Sequence, residues 1–381
     1  MASGLTDEHL SILLTVHHSL EHGTGAAGAT LALARQLEDR GHRVEVLGFD
    51  GLAHRRGATL DAIAFPHLVA RILRRHLDRG GVDVIDASSG DVAYVSTSRV
   101  RAASSAVFTR SHGLEHLASE RRRAGARAGE LDLRRRYSLY HGGLRLREVA
   151  RSFAVADGAL LVNDAERRFA EHRLGIGSER LWRTSPVLDD TLARLRRDPT
   201  RDVLVLGAAS WRKGGDVAIR VLESLLRADA STTVSWHGLQ DPAEIAGALA
   251  DDLRDRADLA GPYARAALPE LLASHRVLLF ASRSEGLPVT LLEALRAGIA
   301  IVGADVPGVR DLLGEGAGML VPDGHVAGMA GATRVLLADE RARAACEARG
   351  AEVAAAHEPA VVVDALLDAY RTVLEVKRAA Q

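Results

Sequence analysis

The chain holds a single cysteine, Cys346, which excludes an intrachain disulfide, suits a reducing compartment and is expected to be structural or incidental. Lysine is nearly as scarce: only Lys213 and Lys377 interrupt a basic complement otherwise written as arginine. Aromatic residues make up 4% of the chain and hydrophobic residues 47%, so its cores must be built mostly of leucine, valine and alanine. Neither sign of charge dominates, since 49 basic residues face 50 acidic ones, and this removes any net attraction to nucleic acid or to an anionic membrane. No segment approaches the ~20 uninterrupted apolar residues of a membrane span, and the N-terminus lacks the basic-then-apolar pattern of a secretory signal. These absences predict a soluble, cytoplasmic protein. Its 381 residues are enough for two α/β domains.

Short apolar runs alternate with segments of helical spacing. Runs at 12–16, 44–48, 82–85, 106–109 and 159–162 read as strands, with a helix at 27–40 that ends at Gly41. A second series begins at 202–207 and continues at 233–236, 277–281, 299–303 and 319–321. Strands alternating with helices imply parallel sheets covered on both faces. The reading divides the chain into an N-terminal domain at 1–187, a polar linker at 188–201, a C-terminal domain at 202–359 and a final helix at 360–381. Ligands are expected at the carboxyl ends of the strands.

The stretch from Ser282 to Asp323 carries the most chemistry. Glu285 precedes a helix and Glu293 lies within it, eight positions on, so the two can reach two parts of one elongated ligand. Gly286 frees the backbone, Pro288 suits a first helical turn, and the N–H groups of Val289 and Thr290 are left polarised for a phosphate. A helix N-terminus for a diphosphate, flanked by carboxylates for hydroxyls, reads as a nucleotide-sugar site. Lys213, in Trp211-Arg212-Lys213-Gly214-Gly215, sits at a strand-to-helix turn. In a chain that defaults to arginine, it suggests that a compact ammonium is required there. Lys377 lies in a tail where little is expected to depend on it.

The Ser-Glu-Gly-x-Pro motif with a glutamate on either side of seven residues resembles the signature of retaining GT-B glycosyltransferases, especially family 4, the group 1 glycosyl transferases. Ala297-Gly298, Pro307-Gly308-Val309 and Gly318 through Pro322-Asp323-Gly324 resemble the same family. The likeness is strong over roughly the last half of the chain and weaker before it. It implies two Rossmann-like, doubly wound parallel-sheet domains with an interdomain cleft, the N-terminal one on the acceptor side, and a last helix that crosses back to that domain. It also implies retention at the anomeric carbon and domain closure around the substrates. Residue by residue, it implies that Glu285 holds donor sugar hydroxyls and Glu293 the ribose. Lys213 would stabilise the diphosphate, with backbone groups around Gly25, Ala26, Gly286, Leu287, Pro288, Val289 and Thr290. His112, after the strand at 106–109, resembles the family's cleft histidine beside the donor sugar. The loop at Gly261-Pro262-Tyr263 corresponds to one that contacts the nucleobase, where Tyr263 could stack. Many members carry an arginine where this chain has Ala208; Arg212 is the candidate substitute, and Trp211 could pack on the ligand.

Other patterns are weighed against this reading. Gly23-Thr24-Gly25-Ala26-Ala27-Gly28 matches the dinucleotide fingerprint, with Asp50 following, but six residues separate it from the preceding strand and the tight first turn is lost. No nicotinamide or flavin cofactor is therefore assigned. His17, His18 and His22 have no recognised metal spacing and no Asp-x-Asp site is evident, so no metal is assigned. Arg121, Arg122, Arg123, Arg127 and Arg134 to Arg136 form a basic stretch. It is read as a solvated helix balanced by Glu120, Glu130 and Asp132 rather than as a lipid-binding face, although it could line an acceptor cleft. The expected partners are a nucleotide-sugar donor and a hydroxyl acceptor, which could be a natural-product scaffold such as an aminoglycoside type, a cell-wall or polysaccharide precursor, or a lipid-linked glycan. Two alternatives stay open: an epimerase or phosphorylase-like enzyme on the same fold, and a non-catalytic nucleotide-sugar binder.

Overall fold

The computed structural model describes residues 9–20, 25–52, 57–133, 135–188 and 197–380. The chain forms two compact units, Met1–Asp189 with Glu358–Gln381, and Asp190–His357. His22, Gly23, Thr24, Arg134 and most of the expected linker lie outside the described residues.

The first unit is built on six parallel strands, β1 (Ser11–Thr15), β2 (Arg43–Leu47), β3 (Val84–Ser88), β4 (Ala106–Arg110), β5 (Gly158–Leu161) and β6 (Leu181–Arg183). Their order is β2-β1-β3-β4-β5-β6, so the winding direction reverses between β1 and β3. Strands β3, β4 and β5 are buried along their whole length, as sheets covered on both faces require. One face packs on the helix Gly25–Glu38 and the C-terminal helix Pro359–Ala379, with Leu37, Phe108 and Tyr370 fully buried between them. The opposite face carries Phe49, Phe65, Val69 and Leu73.

Two buried charge clusters tie the C-terminal helix into this unit. Arg110 Nε donates to both oxygens of Asp86 at 3.0 Å, and the Tyr370 hydroxyl donates to the same carboxylate. Lys377 Nζ donates to the Val100 carbonyl and to Asp157 Oδ2, each at 2.7 Å. Lys377 is only 8% exposed, which corrects the expectation that little depends on it. Tyr370, Leu374 and Lys377 follow helical spacing, so the lysine shares the helix's apolar stripe and is buried with it. The Asp157 carboxyl is pushed up by burial, against the pull of Lys377.

The second unit has strands β7 (Arg201–Leu206), β8 (Val234–His237), β9 (Ala257–Ala260), β10 (His275–Phe280), β11 (Ala300–Ala304) and β12 (Met319–Val321), again all parallel. The order β12-β11-β10-β7-β8-β9 is the dinucleotide-fold order, with its reversal between β7 and β10. Cys346 is buried in this unit's core. Arg197, inside the expected linker, pairs with Glu347 at 2.8 Å and donates to the Gly298 and His275 carbonyls, so it is anchored in this unit.

The basic stretch is not one helix. A helix over Glu115–Arg127 ends before a second begins at Arg135. Three of its arginines meet local partners: Arg121 pairs with Glu130 at 3.2 Å, Arg122 lies over the Tyr137 ring and Arg123 donates to the Gly142 carbonyl.

Candidate functional site

The reversal between β7 and β10 places two loops side by side at the carboxyl ends of these strands. After β7, Gly207 turns the chain into Ala208–Ser210 and a short 3₁₀ turn, Trp211–Lys213, whose first turn is capped by Ser210 accepting the Lys213 N–H. Gly214 closes this loop with φ 69°, and a Cβ there would lie 2.0 Å from the Ala281 carbonyl oxygen, so only glycine lets the two loops approach. Arg283 fastens them together. Its guanidinium grips Asp216 at 2.6 and 2.7 Å and donates to the Trp211 carbonyl, while its own N–H donates to the Arg212 carbonyl. Arg283 also stacks over the Trp211 indole, which gives that ring a partner inside the protein rather than leaving it to a ligand.

This clamp sets the charged tips. Lys213 Nζ lies 2.7 Å from Glu285 Oε1, and Arg212 Nη1 lies 3.3 Å from Glu285 Oε2 and from the Ser284 carbonyl. Arg212 thus brings a guanidinium to the carboxylate that Lys213 holds, in a loop where Ala208 offers no charge. Three residues on, Pro288 precedes the helix Val289–Ala297, and no side chain caps that end, so the first N–H groups keep their positive polarisation. Gly286 is pinned by the neighbouring helix Pro307–Leu313: a Cβ on Gly308 would stand 1.6 Å from the Gly286 carbonyl oxygen.

Glu293, in the second turn of that helix, belongs to a different local group. It is buried and forms an ion pair with Arg265 at 2.5 Å. Burial pushes its carboxyl up, and Arg265 pulls it back. Tyr263, half-buried in the same loop as Arg265, has its hydroxyl pushed up by burial and by Glu293. Arg265, Arg283 and Asp216 carry no spacing signal in the sequence; only the fold brings them here.

Gly25, Ala26 and His112 belong to the first unit. Gly25 opens its helix at an exposed position with open space where a Cβ would sit, so nothing in the protein itself demands glycine there. His112 follows β4 and lines a small cavity with Thr30, Arg110 and Ser185. Its imidazole is pushed down to about 4 by burial, reinforced by Arg110. It is therefore uncharged near neutrality, a hydrogen-bonding group rather than a cation. The His112 NMR signal, assigned by its loss in His112→Gln, should stay flat from pH 8 to about 5.5; a midpoint near 6.5 would contradict this. Because the folded value lies below the unfolded one, the stability tied to neutral His112 is lost as pH falls from about 6.5 towards 4.

The loop bearing His112 is held by a residue that the sequence reading missed. Glu166 accepts the Leu114 N–H at 2.7 Å and the Val162 N–H at 3.3 Å, and burial pushes its carboxyl up to about 7. It stands three residues after Asn163, the N-cap of the helix Asp164–Leu174, and that Asn-x-x-Glu spacing was a usable signal.

Among the described residues, no group of three or more His, Cys, Asp or Glu side chains is placed to hold a metal ion, and no helix is long and apolar enough to cross a membrane.

Residues 200–339 match the family model of the glycosyl transferases group 1. The chain is 28% identical over 257 residues to the D-inositol 3-phosphate glycosyltransferase of Kineococcus radiotolerans, covering 59% of each protein. It is 29% identical over 230 residues to the phosphatidyl-myo-inositol mannosyltransferase of Mycolicibacterium smegmatis, covering 57% of each. The chain therefore spans less than two thirds of the length of the curated relatives it matches. The fold resembles that of the sucrose-phosphate synthase of Thermosynechococcus elongatus with a TM-score of 0.76, at 16% identity, over 97% of this chain and all of the other. Residues 200–339, in the second unit, therefore carry the domain of the glycosyl transferases group 1, and the chain has a GT-B fold.

Proposed function

We propose that the protein transfers a sugar from a nucleotide diphosphate donor to an acceptor hydroxyl, with retention at the anomeric carbon and without a metal ion. The observation that carries this reading is the convergence of Lys213 and Arg212 on Glu285, beside an uncapped helix N-terminus at the switch point of the second sheet. In this reading the two cations and the N–H groups of Val289 and Thr290 stabilise the charge that develops on the departing diphosphate. Glu285 accepts hydrogen bonds from donor sugar hydroxyls, Glu293 from the ribose, and Tyr263 borders the base. Gly25, Ala26, Gly286 and Leu287 are assigned to the donor through their backbone, and His112, uncharged, to a sugar hydroxyl. The bond from the anomeric carbon to the diphosphate oxygen breaks, a bond to the acceptor oxygen forms on the same face, and the acceptor proton passes to the leaving phosphate.

The names of the two relatives support a cyclitol-type acceptor, since one is named for an inositol phosphate and the other for a phosphatidylinositol. The test is a thermal-shift screen of UDP-, GDP-, ADP- and dTDP-sugars, followed by assay of nucleoside diphosphate release. A donor present at 100 times its Kd stabilises the fold by about 2.7 kcal/mol, a shift of several degrees. Slow nucleotide release without acceptor supports transfer, and isomerised sugar points to an epimerase. Binding without turnover, even with candidate acceptors, points to a binder. If no nucleotide sugar shifts the melting temperature, the reading fails.

A further inference from the structure

The first sheet also reverses direction, between β1 and β3, and the residues just beyond these strands form a buried polar cluster. Asp91, fully buried, accepts from the Thr15 hydroxyl at 2.6 Å and pairs with His17 Nδ1 at 2.7 Å. Arg145, also buried, donates to Glu115 at 3.0 Å and to the Ser89 carbonyl, and lies 3.7 Å from Glu148. Gly90 admits it: a Cβ there would lie 2.3 Å from Arg145 Nη1.

Two features of this cluster are not accounted for by the protein alone. The Tyr140 hydroxyl has no hydrogen-bond partner, although the residue is only 7% exposed. Asp91, Glu115, Arg145 and Glu148 all act on it electrostatically. Arg145 Nη1 likewise lacks a hydrogen-bond acceptor. Tyr140 opens a π-helical turn, Tyr140–Leu144, a distortion that is frequent at functional sites. The second feature is charge. Asp91, Glu115 and Glu148 all face the one Arg145 guanidinium, so carboxylates outnumber guanidinium groups in this cluster. Arg123, on the neighbouring helix, is committed to the Gly142 carbonyl at 2.6 Å. Burial pushes the Glu148 carboxyl up, while the Tyr94 hydroxyl, which donates to it at 2.9 Å, and Arg145 pull it back.

We infer that this cluster is the acceptor subsite and that it takes a hydroxylated ring bearing an ammonium group, such as an aminocyclitol or amino sugar, rather than a phosphorylated ring. The inference rests on the transfer reading above and narrows its substrate class. The Tyr140 hydroxyl and the spare Arg145 N–H meet ring hydroxyls, and the surplus carboxylate meets the ammonium. Glu115, whose side chain keeps 27% of its exposure, opens the cluster to solvent. A phosphate would instead face three carboxylates at short range, a like-charge arrangement that selects against it.

The test is calorimetric titration of the full chain with three probes of similar size: 2-deoxystreptamine, myo-inositol and myo-inositol 1-phosphate. The aminocyclitol is expected to bind at least tenfold more tightly than myo-inositol, and the phosphate ester more weakly than either. Glu115→Gln should reduce the aminocyclitol's advantage severalfold. Tyr140→Phe should weaken its binding at least fivefold with no fall in melting temperature, because it deletes a hydroxyl that the protein does not bond. Tightest binding by the phosphate ester, equal affinity for the neutral ring, no binding by any probe, or a destabilised Tyr140→Phe would each overturn the inference. A nucleotide sugar that still shifts the melting temperature in that event leaves the transfer reading standing; loss of that shift would sink the transfer reading first.

Discussion

Replacing Lys213 with alanine is expected to lower kcat/KM for the donor by about 10² to 10³, the cost of deleting one preorganised group that stabilises developing charge. The argument is local. Lys213 is held by its pairing with Glu285 and by a loop that Gly214 and Arg283 fix in place, so its ammonium is positioned before any phosphate arrives. The effect on folding should be small by comparison. The lysine side chain is 27% exposed, and a partly solvated ion pair is worth up to about 1 kcal/mol. A large kinetic loss with a melting temperature within a few degrees of wild type separates a charge role from a structural one. Initial rates of nucleoside diphosphate release, measured across donor concentrations, provide the check. A kcat/KM within threefold of wild type would remove Lys213 from the mechanism.

Replacing Asp86 with alanine is expected to have the opposite profile, a large loss of stability. Asp86 is 1% exposed and is shared by Arg110 and the Tyr370 hydroxyl, themselves buried. Removing it strands a guanidinium away from water, which costs about 3–5 kcal/mol. For a unit of this size that is a fall in melting temperature of roughly 10 °C or more. Tyr370→Phe, which leaves the Asp86–Arg110 pair intact, should cost far less. Equal losses from both variants would show that packing, rather than the stranded charge, accounts for the effect. Thermal unfolding of the two variants beside wild type decides the matter.

Much of the architecture was legible because buried parallel strands read as short apolar runs. The runs at 106–109 and 319–321 lie within a residue of β4 and β12. Strand β6 was missed: at three residues, with only Leu181 buried, it has too little pattern to distinguish it from a loop. Lys377 was misjudged for a different reason. Its place in the chain suggested a tail, whereas its helical phase with Tyr370 and Leu374 already marked the buried stripe. The basic stretch was read as one helix because charge patterning says nothing of the break between Arg127 and Arg135.

The loops around Glu285 and Lys213 were legible for the same reason that they are compact. Glycine, proline and glutamate at fixed offsets encode a turn and a helix start within one short stretch, and Lys213 stood out by its rarity. The ion pairs that set the side chains were not legible. Arg265 meets Glu293 from another loop, and Arg283 meets Asp216 across 67 positions, so their proximity follows from the order of the strands rather than from local sequence. Tyr140 and Arg145 carry no motif or spacing that marks them in the sequence, and only the reversal between β1 and β3 brings them to Asp91 and Glu115.

The first unit takes its closing helix, Glu358 onward, from beyond the second unit in the chain. During synthesis, residues 1–189 leave the ribosome with Asp86 and Arg110 already present but without Tyr370, and with Leu37 and Phe108 lacking the helix that covers them. The nascent half must wait, its apolar face open, while the intervening 168 residues are made. The middle segment can reach its native state first, while the first unit stays incomplete until the helix that follows Glu358 emerges.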